Sequence, residues 1–365
     1  MTERSTIPVF RPYYDEREEQ AVVKVLRSGW VGLGPMTEQF EREFAQRVGA
    51  RYAVALNSCT AALHIALRLL DIGRGDEVLV PTMTFVSSAM VADYEGASAV
   101  FCDVTEETLA MDYADAAERR TIRTKAAVPV LYGGRPLPPL NLGVPVVYDC
   151  AHAMGARFSA AGKICCWSFH AVKNLATGDG GMITFDDEDL YRRALRLRWL
   201  GIDKSTWSRS DVDRRYWWEY HIEEIGFKYH MNDIAAAIGL VQLAKLDEMQ
   251  DRRRRLVAQY LEELAGVPDL TLPAADDDSS WHLFAIRTPH RNALSMFLQT
   301  HGVSTGVHYK PIHLYPLYHK YSLPVAERVW PTLLTLPLFP ALTSEQVSSI
   351  CDLVRYGLRQ VAAAS

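Results

Sequence analysis

The chain has 365 residues, of which 48% are apolar and 23% charged, a composition typical of globular enzymes. This length exceeds the roughly 250 to 300 residues at which one hydrophobic core usually stops growing, so we expect a large domain with a smaller second one. The formal net charge of -5 gives no reason to expect nucleic acid or an anionic membrane surface as a partner.

Targeting and metal-binding signals are missing from the sequence. The first twenty residues lack the apolar core of a signal peptide, and no apolar run is long enough to cross a bilayer. The six cysteines form no C-x-x-C pair and mostly lie in apolar runs, so we interpret them as small buried side chains. The eleven histidines show no metal-ligand spacing. We therefore predict a cytoplasmic protein without a metal site.

Short apolar runs rich in Val, Ala and Ile alternate with helical or turn segments in the first half of the chain. They are YAVALN (52–57), EVLV (77–80), SAVFCD (98–103), AAVPVL (126–131), VPVVYD (144–149), ICCWSF (164–169) and GMITF (181–185). Continuous apolar runs, rather than strict alternation, indicate strands that are covered on both faces. The predicted fold class is α/β, with a large domain built on a mostly parallel seven-stranded sheet covered by helices.

The rest of the chain predicts helices and then a smaller α+β unit. Residues 232–265 have the pattern of one long or broken helix, and we interpret its DRRRR run (251–255) as a solvated face because acidic residues surround it. A polar, proline-containing connection follows, and the smaller unit begins near Trp281. We expect a large domain over residues 1–250, with residues 1–35 lining its site, and a small C-terminal domain over 251–365.

Reactive and polar side chains follow the ends of several predicted strands. In open α/β sheets, functional groups gather beyond the carboxyl ends of the strands. Those ends carry Thr60 at a helix start, Phe85, Asp149 and Lys173. A helix N-terminus can bind a phosphate, an aromatic face can cover a ring, a carboxylate can pair with a ring nitrogen, and a lysine can bind an aldehyde. This set predicts pyridoxal 5'-phosphate as the cofactor.

Each of these residues alone has a plainer interpretation. Thr60 can be only an N-cap, Phe85 only core, Asp149 only a strand-end carboxylate and Lys173 only a surface lysine. Their placement at successive strand ends favours a shared site. A dinucleotide is the rival cofactor, but GLGP (32–35) lacks the third glycine of its fingerprint and precedes the first convincing strand.

Lys173 lies in the stretch SFHAVKNLATGDGGM, between a strand end and a glycine-rich turn. The glycines at positions 178, 180 and 181 predict a sharp return of the chain, because glycine adopts backbone conformations that other residues avoid. We expect the strand before this turn to hold Lys173 in a fixed position.

Eight stretches carry a resemblance to a known family. They are GWVGLGP, NSCTAALHIAL, PTMTFVSSA, YDCAHAMGA, SFHAVKNLATGDGGM, GFKYHMNDIAAAIGLVQL, GVSTGVHYKPIHLYP and LPLFPALT, in the family's order over nearly the whole chain. The chain resembles the DegT-type nucleotide-sugar aminotransferases, which are fold-type I pyridoxal phosphate enzymes. The resemblance implies an aspartate-aminotransferase-like fold and a homodimer with shared active sites. It also implies amino transfer from an amino acid, with glutamate as the expected donor, to a keto-sugar linked to a nucleotide.

The resemblance implies the catalytic residues as well. Lys173 matches the family's Schiff-base lysine, Asp149 the partner of the pyridine nitrogen, and Phe85 the aromatic residue stacked on the cofactor ring. Once the amino donor has displaced Lys173, its free amine is expected to move the proton at the substrate carbon, which is general acid/base work.

Other positions match cofactor contacts of the family. Thr60, with the adjacent amide of Ala61, and Ser168 match its phosphate contacts. His152 occupies a position where the family has Gln or His near the cofactor's ring oxygen. Lys228 stands where the family commonly has Asn, a residue that reaches the phosphate from the neighbouring subunit, and the Trp and Tyr residues just before Lys228 could cover that subunit.

The resemblance also implies substrate contacts and shows one departure. Trp30, His308, Tyr309 and His313 are expected to border the sugar. Residues 132–149 replace a longer family connection that contains a full helix, and their four prolines cannot support one. We expect an irregular or polyproline link there, far from the site residues.

Three alternative functions stay open at this stage. An aminocyclitol aminotransferase acting on a free keto-inositol would share every cofactor residue. A sugar dehydratase of similar fold usually has His in place of the lysine, so Lys173 argues against it. A non-catalytic regulatory homologue is disfavoured because both Lys173 and Asp149 are present.

Overall fold

The computed structural model describes residues 6–203, 219–319 and 322–364. Two helices, α1 (Glu16–Ser28) and α2 (Pro35–Val48), precede the sheet. A capping box begins α1, because the Asp15 side chain accepts from the Arg17 amide while the Glu18 side chain accepts from the Asp15 amide.

The large sheet forms from the apolar runs. Its strands are β1 (Tyr52–Leu56), β2 (Glu77–Pro81), β3 (Ser98–Cys102), β4 (Thr124–Ala127), β5 (Val147–Asp149), β6 (Ile164–Ser168) and β7 (Gly181–Phe185). Parallel pairing joins β3, β2 and β4, and also β5 and β6, whereas β7 runs antiparallel to both β6 and β1. Between β4 and β5 there are only isolated parallel bridges, Ala127–Val146 and Val130–Asp149. The predicted α/β class is confirmed. Strand β7 runs opposite to the others, and few hydrogen bonds join β4 to β5.

Helices cover the sheet on both faces. They are α3 (Cys59–Leu69), α4 (Ser87–Tyr94), α5 (Tyr113–Arg119), α6 (Glu188–Leu197) and α7 (Asp233–Ala244). Alternate residues of β1 enter different cores: Val54 and Leu56 pack with α3, and Ala53 and Ala55 with α2. Because successive strand side chains point to opposite faces, a strand buried on both sides has the continuous apolar sequence seen here.

The C-terminal part has its own apolar cluster. Its elements are α8 (Leu246–Glu263), β8 (Phe284–Arg287), α9 (Arg291–Thr300), α10 (Pro324–Val329), β9 (Leu333–Leu336) and α11 (Ser344–Ala364). Strands β8 and β9 pair antiparallel, and α8, α9 and α11 pack against them. The helix predicted over 232–265 is broken at Lys245, where α7 ends. The domain boundary at residue 250 stays a prediction, and α8 runs through it.

The shortened connection after β4 contains no helix beyond a short 3₁₀ turn at Tyr132–Gly134. Leu140 is buried in a small cluster with Leu79, and the Tyr113 hydroxyl donates to the Pro138 carbonyl at 2.9 Å. The irregular link predicted from the prolines is therefore present, and its own side chains cover this part of the sheet.

All six cysteines are free and buried. In the part of the chain that the structure describes, no helix has the length and apolarity needed to cross a membrane. The same residues contain no group of three or more His, Cys, Asp or Glu side chains arranged to hold a metal ion.

Candidate active site

A cavity of about 350 Å³ lies at the carboxyl ends of β5 and β6, against the start of α3. Most of the residues singled out from the sequence line its wall: Thr60, Phe85, Asp149, His152, Ser168, Lys173, His308 and Tyr309. Four others do not lie on this wall: Trp30, Ala61, Lys228 and His313. The fold thus brings together the side chains that follow separate strands, as expected for an open α/β sheet.

The start of α3 faces the cavity through its first turn. Ser58, not Thr60, is the N-cap, and its hydroxyl accepts from the Ala61 amide at 3.1 Å. Thr60 therefore lies inside the first turn, where helix amides point outward toward an anion. The Ala61 amide is engaged by the cap in this chain, so its predicted phosphate contact stays a prediction.

The glycines after Lys173 serve two separate purposes. Gly178 has a φ of 91°, which favours glycine in the turn. Gly181 has no such angle, but a Cβ there would lie 2.3 Å from the carbonyl carbon of Ser58. A Cβ on Gly180 would lie 2.6 Å from the Thr177 hydroxyl. The sharp return is thus a property of Gly178, whereas Gly181 lets β7 approach the start of α3 and Gly180 leaves room for the side chains packed against it.

Asp149 is a buried carboxylate with two hydrogen-bond donors. The Ser88 hydroxyl donates to Oδ2 at 2.7 Å, and the Ala151 amide donates to Oδ1 at 3.0 Å. Burial raises the pKa of Asp149, while these bonds and the nearby Lys173 amine oppose that rise. Ser88 was not selected from the sequence, because it is the second residue of α4 and does not lie at a strand end.

Lys173 has an amine poised to lose its proton. Burial lowers its pKa to about 8, and the negative charge of Asp149 opposes the shift. A lysine with a lowered pKa is neutral for a larger part of the time near neutral pH. The neutral amine is the form that acts as nucleophile or base.

His152 lies between the connection after β4 and Tyr309. Its Nδ1 accepts from the Gly133 amide at 3.2 Å, and its Nε2 lies 3.1 Å from the Tyr309 hydroxyl. The Tyr132 hydroxyl donates to the carbonyl of His308. The prediction that this connection lies far from the site is therefore wrong at its first residues, because a chain leaving β4 starts at the same sheet edge as the cavity.

The two histidines of the HYKPIH segment have different surroundings. His308 lines the cavity, its Nδ1 lies 2.9 Å from the Thr335 hydroxyl, and burial lowers its pKa to about 4. His313 is fully buried, with Nδ1 at 2.7 Å from the Thr82 hydroxyl and Nε2 at 3.2 Å from Glu327. These contacts account for the burial of His313, and its predicted substrate contact stays a prediction.

Phe85 is 59% exposed, so it is not a core residue. Its ring lines the cavity, with its centroid 6.4 Å from that of Tyr309 and the two rings tilted by 55°. Ser168 is buried on the same wall. Trp30 donates from Nε1 to the Leu33 carbonyl at 3.0 Å and is away from the wall, so its substrate contact stays a prediction.

Lys228 is exposed, and its Nζ lies 3.5 Å above the centre of the Trp199 ring. The Asn57 side chain donates to the Lys228 carbonyl at 3.4 Å, which holds this backbone near the start of α3. Most of the aromatic segment before Lys228, residues 204–218, lies outside the described residues. The contact of Lys228 with a partner's cofactor stays a prediction.

These groups fit pyridoxal phosphate. The cavity offers an exposed aromatic ring, a buried carboxylate near Lys173, a lysine of lowered pKa and a helix start for the phosphate. Its volume lies within the range of small-molecule sites, about 300 to 1,000 Å³. The fold and the site define a fold-type I pyridoxal phosphate enzyme.

Comparison with known proteins identifies the family. The sequence profile of the DegT/DnrJ/EryC1/StrS aminotransferase family matches residues 12–355, and the chain belongs to this family. The spore coat polysaccharide biosynthesis protein SpsC of Bacillus subtilis (strain 168) is 37% identical, over 96% of this chain and 96% of that protein. The predicted family is confirmed.

Solved structures of aminotransferases have the same fold as this chain. The putative sugar aminotransferase Spr1654 from Streptococcus pneumoniae, in its PMP form, has a TM-score of 0.91 and 31% identity, and the match covers 97% of this chain and 100% of that one. The aminotransferase TlmJ from Streptoalloteichus hindustanus has a TM-score of 0.90 and 38% identity, covering 98% and 100%. The protein is a pyridoxal-phosphate-dependent sugar aminotransferase.

Proposed function

We propose that the enzyme transfers an amino group from an amino acid, with glutamate as the donor, to a keto-sugar linked to a nucleotide. The observation that carries this proposal is the single cavity wall on which Lys173 and Asp149 meet an exposed aromatic face and several hydrogen-bonding side chains. Relatives named for polysaccharide biosynthesis and for sugar amination support the sugar as acceptor. The six cysteines are all free, as expected in a reducing compartment, and this supports a cytoplasmic enzyme.

Lys173 performs the proton transfer in this proposal. When bound, pyridoxal phosphate supplies the electron sink that makes the substrate carbon acidic. The Lys173 Nζ, neutral at a mildly alkaline pH, would take the proton from that carbon and pass it to C4' of the cofactor, an action typically worth about 10²- to 10⁴-fold in rate.

Asp149 holds the negative charge of the site. Its carboxylate is buried, and burial alone favours the neutral acid. A protonated ring nitrogen is the cation that offsets this cost, and the Ser88 and Ala151 bonds hold both carboxylate oxygens in place for it. Phe85 would cover the face of the cofactor ring, and the first turn of α3 would hold the phosphate.

We further propose a homodimer with two shared sites, in which Lys228 contacts the phosphate in the partner's cavity. Lys228 is exposed and is not on the cavity wall of its own chain. One helix start contributes only about 0.3 to 1 kcal/mol for a favourable charge at an exposed position, so a further cation is expected near the phosphate. In a dimer with a two-fold axis, the Lys228 of each chain would lie at the site of the other chain.

The substrate is tested by incubating the enzyme with glutamate and a panel of keto-sugar nucleotides and free keto-cyclitols, with the products identified by mass. We expect an increase in mass that matches amination of a keto-sugar nucleotide and no amination of the cyclitols. Amination of a keto-inositol alone would show that the aminocyclitol alternative is correct. Consumption of another amino acid in place of glutamate would correct the donor and leave the acceptor as proposed.

A further inference from the structure

Four aromatic rings form a column that ends at the cavity: Phe10, His282, His152 and Tyr309. Phe10 and His282 are stacked with ring centroids 5.3 Å apart, His282 and His152 lie 4.3 Å apart, and His152 and Tyr309 lie 6.1 Å apart. His152 and Tyr309 line the cavity, whereas His282 lies behind them and is only 2% exposed. His282 contacts the site without lining it.

The hydrogen bonds of Asn174 fix the protonation of His282. The Asn174 side-chain nitrogen donates to the carbonyls of Met154 and Ser280, at 3.2 and 2.9 Å. Both amide hydrogens are thereby used, so the Asn174 oxygen must accept from His282 Nδ1 at 3.1 Å. His282 is therefore the Nδ1–H tautomer, and it is anchored to the residue that directly follows Lys173.

The hydrogen bonds of His152 run toward the cavity. Its Nδ1 accepts from the Gly133 amide, so its proton must lie on Nε2, which faces the Tyr309 hydroxyl. Tyr309 then accepts from His152, and its own hydroxyl hydrogen is left to donate into the cavity. If the His152 ring turned over, ring carbons would take the places of both nitrogens, and the bonds to the Gly133 amide and the Tyr309 hydroxyl would be lost.

We propose that His282 is a positioning residue: its ring, held between Phe10 and His152 and anchored by Asn174, keeps His152 in the orientation that makes Tyr309 a hydrogen-bond donor to the molecule bound beside Lys173. The contact of the two imidazoles restrains the His152 ring on the face away from the cavity. This role depends on the aminotransferase family and not on which sugar or nucleotide the enzyme takes.

Two variants of His282 distinguish the effect of its ring from the effect of its hydrogen bond to Asn174. His282→Asn keeps an amide nitrogen that can donate to Asn174, but it removes the ring behind His152. His282→Phe keeps a ring in the column and loses the donor. The measurement is nitrogen-15 NMR of the full-length protein labelled in its histidine side chains, with and without pyridoxal phosphate, since the two neutral tautomers of imidazole have different nitrogen shifts. The His152 signal is assigned by its loss in His152→Gln.

We expect His152 to show the Nε2–H signature in the unmodified protein. The signature should be lost to an average of the two tautomers in His282→Asn, and it should be retained in His282→Phe. A matched control, His301→Asn on the exposed end of α9, should leave the His152 signal unchanged. None of these signals depends on turnover, so failure of the substrate assay does not affect the result.

Three outcomes would overturn the inference. One is a His152 that carries its proton on Nδ1 in the unmodified protein, which needs no variant to observe. Another is a folded His282→Asn protein with an unchanged His152 signature. The third is loss of the signature in His282→Phe as well as in His282→Asn, which would show that a ring at this position does not hold His152 without the bond to Asn174.

Discussion

The amine of Lys173 is influenced by two opposing effects. Burial lowers its pKa, whereas the carboxylate of Asp149 raises it, and the result is a pKa of about 8. Asp149 is influenced in the opposite sense, since burial raises its pKa and the Lys173 amine lowers it. The charge of each group therefore depends on the other, so a substitution at one residue should shift the pKa of the other.

Replacing Lys173 by Ala should give a folded protein without catalysis. The variant should bind pyridoxal phosphate without the visible absorbance of the lysine-bound form, because no other amine of the described residues lines the cavity. The measurements are the absorption spectrum and single-turnover transfer from glutamate. Normal transamination by this variant would show that Lys173 is not the catalytic lysine.

Replacing Asp149 by Asn keeps the size of the side chain and removes its charge. We expect the cofactor still to bind, while the half-reaction with the amino donor slows by about 10²-fold or more, comparable to the loss of acid/base help. Stopped-flow absorbance measures this rate. An unchanged rate would assign a purely structural role to Asp149.

The same variant should change the pH at which Lys173 reacts. Only the neutral amine attacks the cofactor's aldehyde, so the rate at which cofactor-free protein captures pyridoxal phosphate should rise with pH through a midpoint near the Lys173 pKa of about 8. Because Asp149 raises that pKa, Asp149→Asn should move the midpoint to a lower pH. A midpoint that moves upward, or does not move, would contradict the coupling of the two groups.

At the scale of elements, the fold depends on the close approach of β7 to the start of α3. Gly181→Ala would place a Cβ 2.3 Å from the Ser58 carbonyl carbon, so the strand and the helix must separate. We expect a loss of about 1 to 3 kcal/mol in the free energy of unfolding, the usual cost of overpacking. The dissociation constant of pyridoxal phosphate should also rise, because the first turn of α3 moves.

Gly73→Ala is the control for this prediction. Nothing lies within 4 Å of a Cβ at Gly73, and its backbone angle is ordinary. Denaturant unfolding of the cofactor-free protein and equilibrium binding of the cofactor measure the two effects. Equal behaviour of Gly181→Ala and Gly73→Ala would show that the approach of β7 does not shape the phosphate site.

The elements were predictable where one physical signal determines them. Strands buried on both faces have continuous apolar sequences, and all the predicted runs correspond to strands within a few residues. The reversed direction of β7 was not predictable, because an apolar run has the same pattern in either direction. The break of the long helix at Lys245 was left open for a similar reason: Lys245 is buried against Glu18, at 2.6 Å, and only tertiary contact shows this.

The site residues near strand ends were predictable from the sequence, whereas the residues that support them were not. Asp149 ends β5, and Phe85 and Lys173 lie in the loops after β2 and β6. Topology brings such residues to one edge. Ser88 contacts Asp149 from the first turn of α4, and His282 contacts His152 from a distant segment. Neither position has a sequence signal. Contacts that support a site depend on packing, which a single sequence does not specify.

For the whole molecule, the sharing of sites between two chains can be tested by mixing variants. Lys173→Ala chains lack the catalytic amine, and Lys228→Ala chains should bind the phosphate poorly. If Lys228 acts in the partner's cavity, each mixed dimer regains one site that has both lysines, and activity should return. If subunits exchange and no activity returns, Lys228 acts in its own chain or not at all.

Because every cysteine is buried, the native thiols should react slowly with labelling reagents. The thiolate is the form of cysteine that reacts with thiol reagents. Burial raises the pKa of Cys102 and Cys351 to about 12. It raises the pKa values of Cys59, Cys150 and Cys166 well above the usual range. A single cysteine introduced at an exposed position such as Ala117 would therefore be labelled selectively by a maleimide dye. Two populations of such chains, one with a donor dye and one with an acceptor dye, would report subunit exchange by energy transfer, independently of whether either population is active.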